Sequence, residues 1–166
     1  MTPPLRQTRV VEGLDARTLS VTDLIAEDRP AILRGIARDL PIVAAGRQGS
    51  AHAIDWLRQF DGGRPVTAYV GAPAIAGRFG YTDALDGLNF ARERGALGDY
   101  LDRLRDGLDD PQGPAIYIGS TDLDQYLPGL RDEAVLPFGD PQLAATPPLV
   151  SAWIGNRTTA ATHYDM

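Results

Sequence analysis

The sequence predicts an α+β fold in which helices and short strands mix early and strands gather toward the C-terminus. Apolar residues recur at helical spacing in residues 50–61 and 95–107, as on the buried side of an amphipathic helix. Short apolar or alternating runs bounded by Gly and Pro, which are typical of strands, occupy residues 65–71, 114–119 and 147–155. The helices therefore precede most of the sheet along the chain, and we expect that sheet to be incomplete within these 166 residues.

The N-terminal part of the chain is predicted to be an extended lead-in followed by a short helix within residues 19–28. Ser20 or Thr22 can cap the start of this helix, because a hydroxyl accepts a hydrogen bond from a free backbone N–H. Leu24 and Ile25 are expected on its buried side.

A short buried strand and the clearest helix follow. In residues 29–35, "RPAILRG", a proline precedes the apolar run and a glycine ends it, which indicates a strand. The helix over 50–61 has Ser50 as a natural N-cap and stops before Gly62 and Gly63. Its apolar positions share one face: Ala53, Ile54, Leu57 and Phe60.

The second half of the chain alternates strands with one more long helix. After the strand at 65–71, the second amphipathic helix is placed near 96–106, with one apolar stripe made of Leu97, Tyr100, Leu101 and Leu104. Between the two later strands, residues 121–130 indicate a short helix that ends before Pro128. A last strand is predicted at 160–165.

Composition excludes several classes of function. All 16 basic residues are arginine, and the net charge of -6 with a pI near 4.8 disfavours nucleic acids and anionic membranes as partners. Without cysteine there is no disulfide framework and no thiolate metal site. The N-terminus lacks the apolar core of a signal peptide, and no apolar run reaches the length of a membrane span. We expect a cytoplasmic protein.

The end of the sequence, "TTAATHYDM" (158–166), contains two potential metal ligands set two residues apart. In a strand, His163 and Asp165 would project from the same face. An imidazole and a carboxylate form two corners of the 2-His-1-carboxylate triad that holds non-haem Fe(II). The only other histidine, His52, is expected to be a surface or helix-packing residue. By spacing alone the pair is a weak motif, and a solvated pair near a chain end is the alternative.

The residues around this motif resemble a known family. "LVSAWIGNRTTAATHYDM" (149–166) resembles the segment of the JmjC-type, cupin-like oxygenases in which a strand ending in Trp-Ile-Gly precedes His-x-Asp. Residues 29–41, "RPAILRGIARDLP", resemble the family's entry strand. Residues 77–90 and 115–130 are similar to the segments that precede the barrel of that family.

The resemblance implies a fold in which N-terminal helices and strands lead into a double-stranded β-helix, the cupin or jelly-roll barrel. By this reading residues 1–27 are the lead-in, 28–146 precede the barrel, and 147–166 are its first strands with the H-x-D motif. The sequence would then stop at the second barrel strand, without the second histidine and without the basic residue that relatives place opposite the 2-oxoglutarate carboxylate. We expect an open strand edge, and hence possible homo-oligomers.

The resemblance also implies roles for individual residues. His163 and Asp165 match the Fe(II) ligands, and Tyr117 matches a tyrosine that hydrogen-bonds the 2-oxoglutarate carboxylate. An inward core aromatic is the alternative for Tyr117, and Trp153 is expected to pack in the core. Relatives carry a threonine three residues before the histidine, where this chain has an alanine. Thr159, which shares strand parity with His163, and Thr162 are the alternatives at that contact.

The function implied is that of an Fe(II)- and 2-oxoglutarate-dependent dioxygenase that hydroxylates a protein side chain or another large substrate. The 166-residue chain alone is expected to bind Fe(II) weakly and to be inactive. The alternatives are a non-catalytic cupin-like interaction module and a metal-binding cupin without oxygenase activity.

Overall fold

The computed structural model describes residues 7–159, which contain seven helices, six strands and one 3-10 turn. The strands are β1 (Arg9–Val11), β2 (Ala31–Leu33), β3 (Pro65–Gly71), β4 (Phe90–Ala96), β5 (Ala115–Asp122) and β6 (Ser151–Gly155). The helices are α1 (Val21–Ala26), α2 (Pro41–Gln48), α3 (Ser50–Arg58), α4 (Leu97–Asp106), α5 (Leu123–Tyr126), α6 (Leu130–Ala134) and α7 (Pro141–Ala145), and the 3-10 turn covers Pro73–Ile75. No helix in this part of the chain is long and apolar enough to cross a membrane.

The strands form two sheets, which confirms the predicted α+β class. β1 and β2 pair in parallel as a small sheet, while the main sheet has the strand order β4-β3-β5-β6 with every pair antiparallel. A β-bulge between Ile118 and Thr121 interrupts the pairing of β5 with β6. Within residues 7–159 the main sheet does not close into a barrel. The strand predicted at 160–165 lies outside the described residues.

The core lies between one face of the main sheet and the helices α3 to α6. Side chains alternate across a strand, so one face of the sheet supplies every second residue, namely Val66, Ala68, Ile116 and Ile118. α4 contributes its predicted apolar stripe, which is buried throughout: Leu97, Tyr100, Leu101 and Leu104. The short helices after β5 add Leu123, Leu127 and Leu130. This packing leaves the opposite face of the sheet to carry other side chains.

The most strongly patterned segments were predicted well. β3 coincides with the strand predicted at 65–71, and α3 and α4 fall within the helices predicted at 50–61 and 95–107. Ser20 caps α1 by accepting a hydrogen bond from the backbone N–H of Asp23 at 3.1 Å. Segments whose sequence pattern agrees with their burial therefore form the predicted helix or strand.

Four smaller predictions were wrong. The strand predicted at 29–35 forms as β2 but is not buried, since Ile32 is 50% exposed. The N-cap of α3 is Gly49 rather than Ser50, because the chain turns there with a φ of +133° that glycine tolerates. Ile25 is 72% exposed, since α1 buries none of its residues fully. Trp153 is 61% exposed because it points away from the core, on the opposite side of β6 from Ile154.

Asp140 ties the N-terminal part of the chain to the segment before β6. Its carboxylate, 5% exposed, caps α7 at Gln142 N and accepts a hydrogen bond from Thr22 N at 2.8 Å. These hydrogen bonds, chiefly those from Thr22, hold the pKa of Asp140 below its usual value. A carboxyl whose pKa falls on folding stabilises the folded state above its unfolded pKa, and loses that effect as pH falls through the folded pKa.

We expect Asp140→Asn to lower the urea midpoint of unfolding at neutral pH, because an amide keeps the shape but loses the charge and one acceptor. The difference in urea midpoint between the variant and the wild type should become smaller below about pH 4, near the ordinary pKa of aspartate. Asp109→Asn, at an exposed aspartate, is the control and should leave the midpoint unchanged. A difference in urea midpoint that stays constant in acid would contradict a stabilising role for the ionised Asp140 carboxylate.

Candidate functional site

The face of the main sheet that points away from the core carries a different set of side chains, and we call it the open face. On β3 it presents Thr67, Tyr69 and Gly71, the residues between those that enter the core. Strand register extends the same face across the neighbouring strands. Its further members are Phe90, Arg92, Arg94, Ala115, Tyr117, Gly119, Trp153 and Gly155.

Tyr117 lies within an aromatic cluster on the open face. It stacks on its register partner Tyr69, with ring centroids 6.1 Å apart, and also lies 5.9 Å from the ring of Phe79. Phe90 contacts both Tyr69 and Phe79 edge-on, at 5.3 Å in each case. Aromatic pairs of this kind contribute roughly 0.5–1.5 kcal/mol each beyond area burial. The cluster therefore holds the Tyr117 ring in a fixed place.

Glycine at position 119 leaves room for the Tyr117 side chain. A Cβ atom placed on Gly119 would lie 3.2 Å from the hydroxyl oxygen of Tyr117, so the ring leans over this glycine. Gly155 is the register partner of Tyr117 on β6, and it too has no side chain above the sheet. The Tyr117 ring is half-buried, on the opposite face from the core. The position of the Tyr117 ring on the open face therefore disfavours the alternative that Tyr117 is an inward core aromatic.

Thr159 is exposed and lies beside the loop that carries Phe79. Its backbone N–H donates to Gly77 O at 2.8 Å, and it forms an isolated parallel bridge with Arg78. Gly155, the register partner of Tyr117, is the last residue of β6, and Thr159 lies four residues after it. The structure thus brings Tyr117 and Thr159 to the same end of the main sheet. Their cosubstrate roles stay predictions.

His163 and Asp165, the predicted metal ligands, lie outside the described residues. Among residues 7–159, no group of three or more His, Asp or Glu side chains could hold a metal ion. His52 is exposed on α3, which packs on the core side of the sheet and not on the open face. This position agrees with the prediction that His52 is a surface residue.

Sequence reasoning missed two arginines of this face, Arg92 and Arg94. Both are exposed on β4, opposite Tyr69 and Thr67. The sequence analysis assigned no element to residues 91–94, although arginine at positions 92 and 94 alternates as it would on one face of a strand.

An antiparallel sheet with helices on one face and an aromatic open face on the other defines an α+β protein. The chain belongs to the cupin-like domain family, since a family model of that description matches residues 16–166. A search of curated proteins found no match to this chain.

Proposed function

We propose that this chain forms part of an Fe(II)- and 2-oxoglutarate-dependent dioxygenase that hydroxylates a protein side chain or another large substrate. The family match supports the proposal because it extends through His163 and Asp165. The observation that carries it is the placement of Tyr117 on the open face, held by aromatic neighbours with its hydroxyl end over Gly119. A polar group on a rigid apolar platform is typical of a site for a small ligand.

The donor set suits the metal. An imidazole nitrogen from His163 and a carboxylate oxygen from Asp165 are ligands of the kind that non-haem Fe(II) takes, and a third protein ligand would complete the triad. When bound, Fe(II) together with 2-oxoglutarate supplies the activation of dioxygen that C–H hydroxylation needs. Within these 166 residues the proposed centre has two protein ligands, so water or buffer would fill further positions.

The remaining residues would position the cosubstrate. The Tyr117 hydroxyl would donate a hydrogen bond to a 2-oxoglutarate carboxylate, and Thr159 offers a second hydroxyl. Phe79 and Phe90 would exclude water from one side of this hydrogen bond, which strengthens it. Tyr69 would keep the ring of Tyr117 from rotating away, since the two are stacked in register.

Tyr117→Phe should weaken 2-oxoglutarate binding by about tenfold, because one hydrogen bond to a charged group contributes about 1.5 kcal/mol or more. The ring and its packing are retained, so Fe(II) affinity and the urea midpoint should not change. The measurement is anaerobic calorimetry with excess Fe(II), repeated on the polypeptide encoded by the complete reading frame.

Tyr81→Phe is the matched control, since Tyr81 is exposed on the loop between β3 and β4, outside the strands that form the open face. Equal 2-oxoglutarate affinity in the Tyr117 variant and the wild type would remove the cosubstrate role. Succinate release that depends on Fe(II) would support the dioxygenase. Metal retention without succinate release in the complete polypeptide would instead indicate a metal-binding cupin.

A further inference from the structure

The edge strand β4 carries two arginines on the open face. Arg92 pairs in register with Tyr69 and Arg94 with Thr67, so both side chains leave the sheet on the same side as Tyr117. In the described part of the chain, β4 is the last strand of the main sheet and pairs with β3 alone. One long side of β4 therefore presents backbone N–H and C=O groups that no strand of residues 7–159 pairs with.

Within residues 7–159, neither of these two arginines is paired with a carboxylate. Both are exposed. The acidic residue between them, Glu93, points to the other face and pairs with Arg103 at 2.7 Å. Seven other arginines of the described residues do have carboxylate partners. On a chain of net charge -6, this pair forms a local basic strip.

The spacing of the strip matches an extended peptide. Residues two apart on a strand lie roughly 6.6–6.8 Å from one another, and an added strand has the same repeat. Acidic side chains at alternate positions of such a strand would therefore face Arg92 and Arg94 in turn. A second copy of β4 would bring arginines against arginines, so the strip disfavours self-association at this edge.

We propose that the free edge of β4 docks an extended acidic segment of a partner protein, with Asp or Glu at alternate positions, by strand addition. Backbone hydrogen bonds to the edge would supply most of the affinity, and the two arginines would select acidic side chains and set the register. Docking at this edge is separate from the proposed iron chemistry and does not require metal.

The probe is a fluorescein-labelled peptide of alternating Glu and Thr, compared with a peptide of the same composition in which Glu and Thr form two blocks. Fluorescence anisotropy should show that the alternating peptide binds the wild-type chain more tightly. The double variant Arg92→Gln/Arg94→Gln should lose about tenfold in affinity, a size that two ion pairs of up to about 1 kcal/mol each can supply.

The control variant Arg29→Gln/Arg47→Gln removes the same charge from two exposed arginines outside the strands of the main sheet, and it should bind like the wild type. Amide hydrogen exchange should slow along β4 when the alternating peptide is present. Equal losses in both double variants, equal binding of the two peptides, no binding to the wild type, or unprotected β4 amides would each overturn the proposal.

Discussion

Replacing His163 or Asp165 with Ala is expected to reduce Fe(II) binding by more than about a hundredfold, to below detection. The loss of groups that only support a ligand already costs roughly 10–100-fold in metal affinity, and these substitutions would remove a ligand itself. Under the proposed ligand set of His163 and Asp165, removal of either leaves a single protein donor, which cannot hold the ion in a defined geometry. Anaerobic titration with Fe(II), or with Mn(II) as a redox-stable substitute, measures the effect.

His52→Ala is the matched control, because it removes the only other histidine from an exposed position on α3. We expect its Fe(II) affinity to equal that of the wild type. An equal loss in the His52 and His163 variants would mean that the ligand set is wrong. Unchanged affinity in both the His163 and Asp165 variants would exclude the H-x-D motif as a metal site, and the dioxygenase proposal with it.

The pH dependence of Fe(II) binding follows from the same ligand pair. Metal ligands must be deprotonated to bind, so Fe(II) affinity should fall as the pH is lowered into the acid range. The variant Asp165→Asn keeps the shape of the side chain and removes its charge. It should bind Fe(II) more weakly than the wild type at neutral pH.

Elements with a strong local pattern could be predicted from the sequence alone. The stripe of α4 recurs at helical spacing, and β3 alternates between core and open face, so local preference and burial agree there. β4 could not be predicted in this way, because the run "FARERGA" has no apolar alternation. It forms because β3 offers it a partner along its full length. That information lies in another segment of the chain.

The same distinction applies to the candidate site. The spacing of His163 and Asp165 is local, so the sequence could suggest a metal pair. The aromatic cluster around Tyr117 draws Tyr69, Phe79 and Phe90 from separate segments. Only strand register places them together, and register depends on pairing between distant parts of the chain. The exposure of Trp153 was missed for a related reason, since an aromatic residue in an edge strand can lie on either face.

Gly77→Ala should lower the free energy of unfolding by about 2–4 kcal/mol, the combined effect of backbone strain and a disrupted hydrogen bond. Gly77 has a φ of +78°, in the left-handed region that favours glycine. A Cβ atom there would lie 1.8 Å from Arg157 O, which is backbone and cannot rotate away. The hydrogen bond from Thr159 N to Gly77 O, 2.8 Å long, joins the same two segments.

This contact connects the loop of Phe79 to the segment that follows β6, so the strain at Gly77 acts on both segments. Gly87→Ala is the matched control, because Gly87 lies in the same loop with no positive φ and open space around it. Its stability should stay within about 0.5 kcal/mol of the wild type, as for an ordinary surface substitution. Urea unfolding separates the outcomes: if both variants unfold at the wild-type midpoint, the close approach of Gly77 to Arg157 does not stabilise the fold.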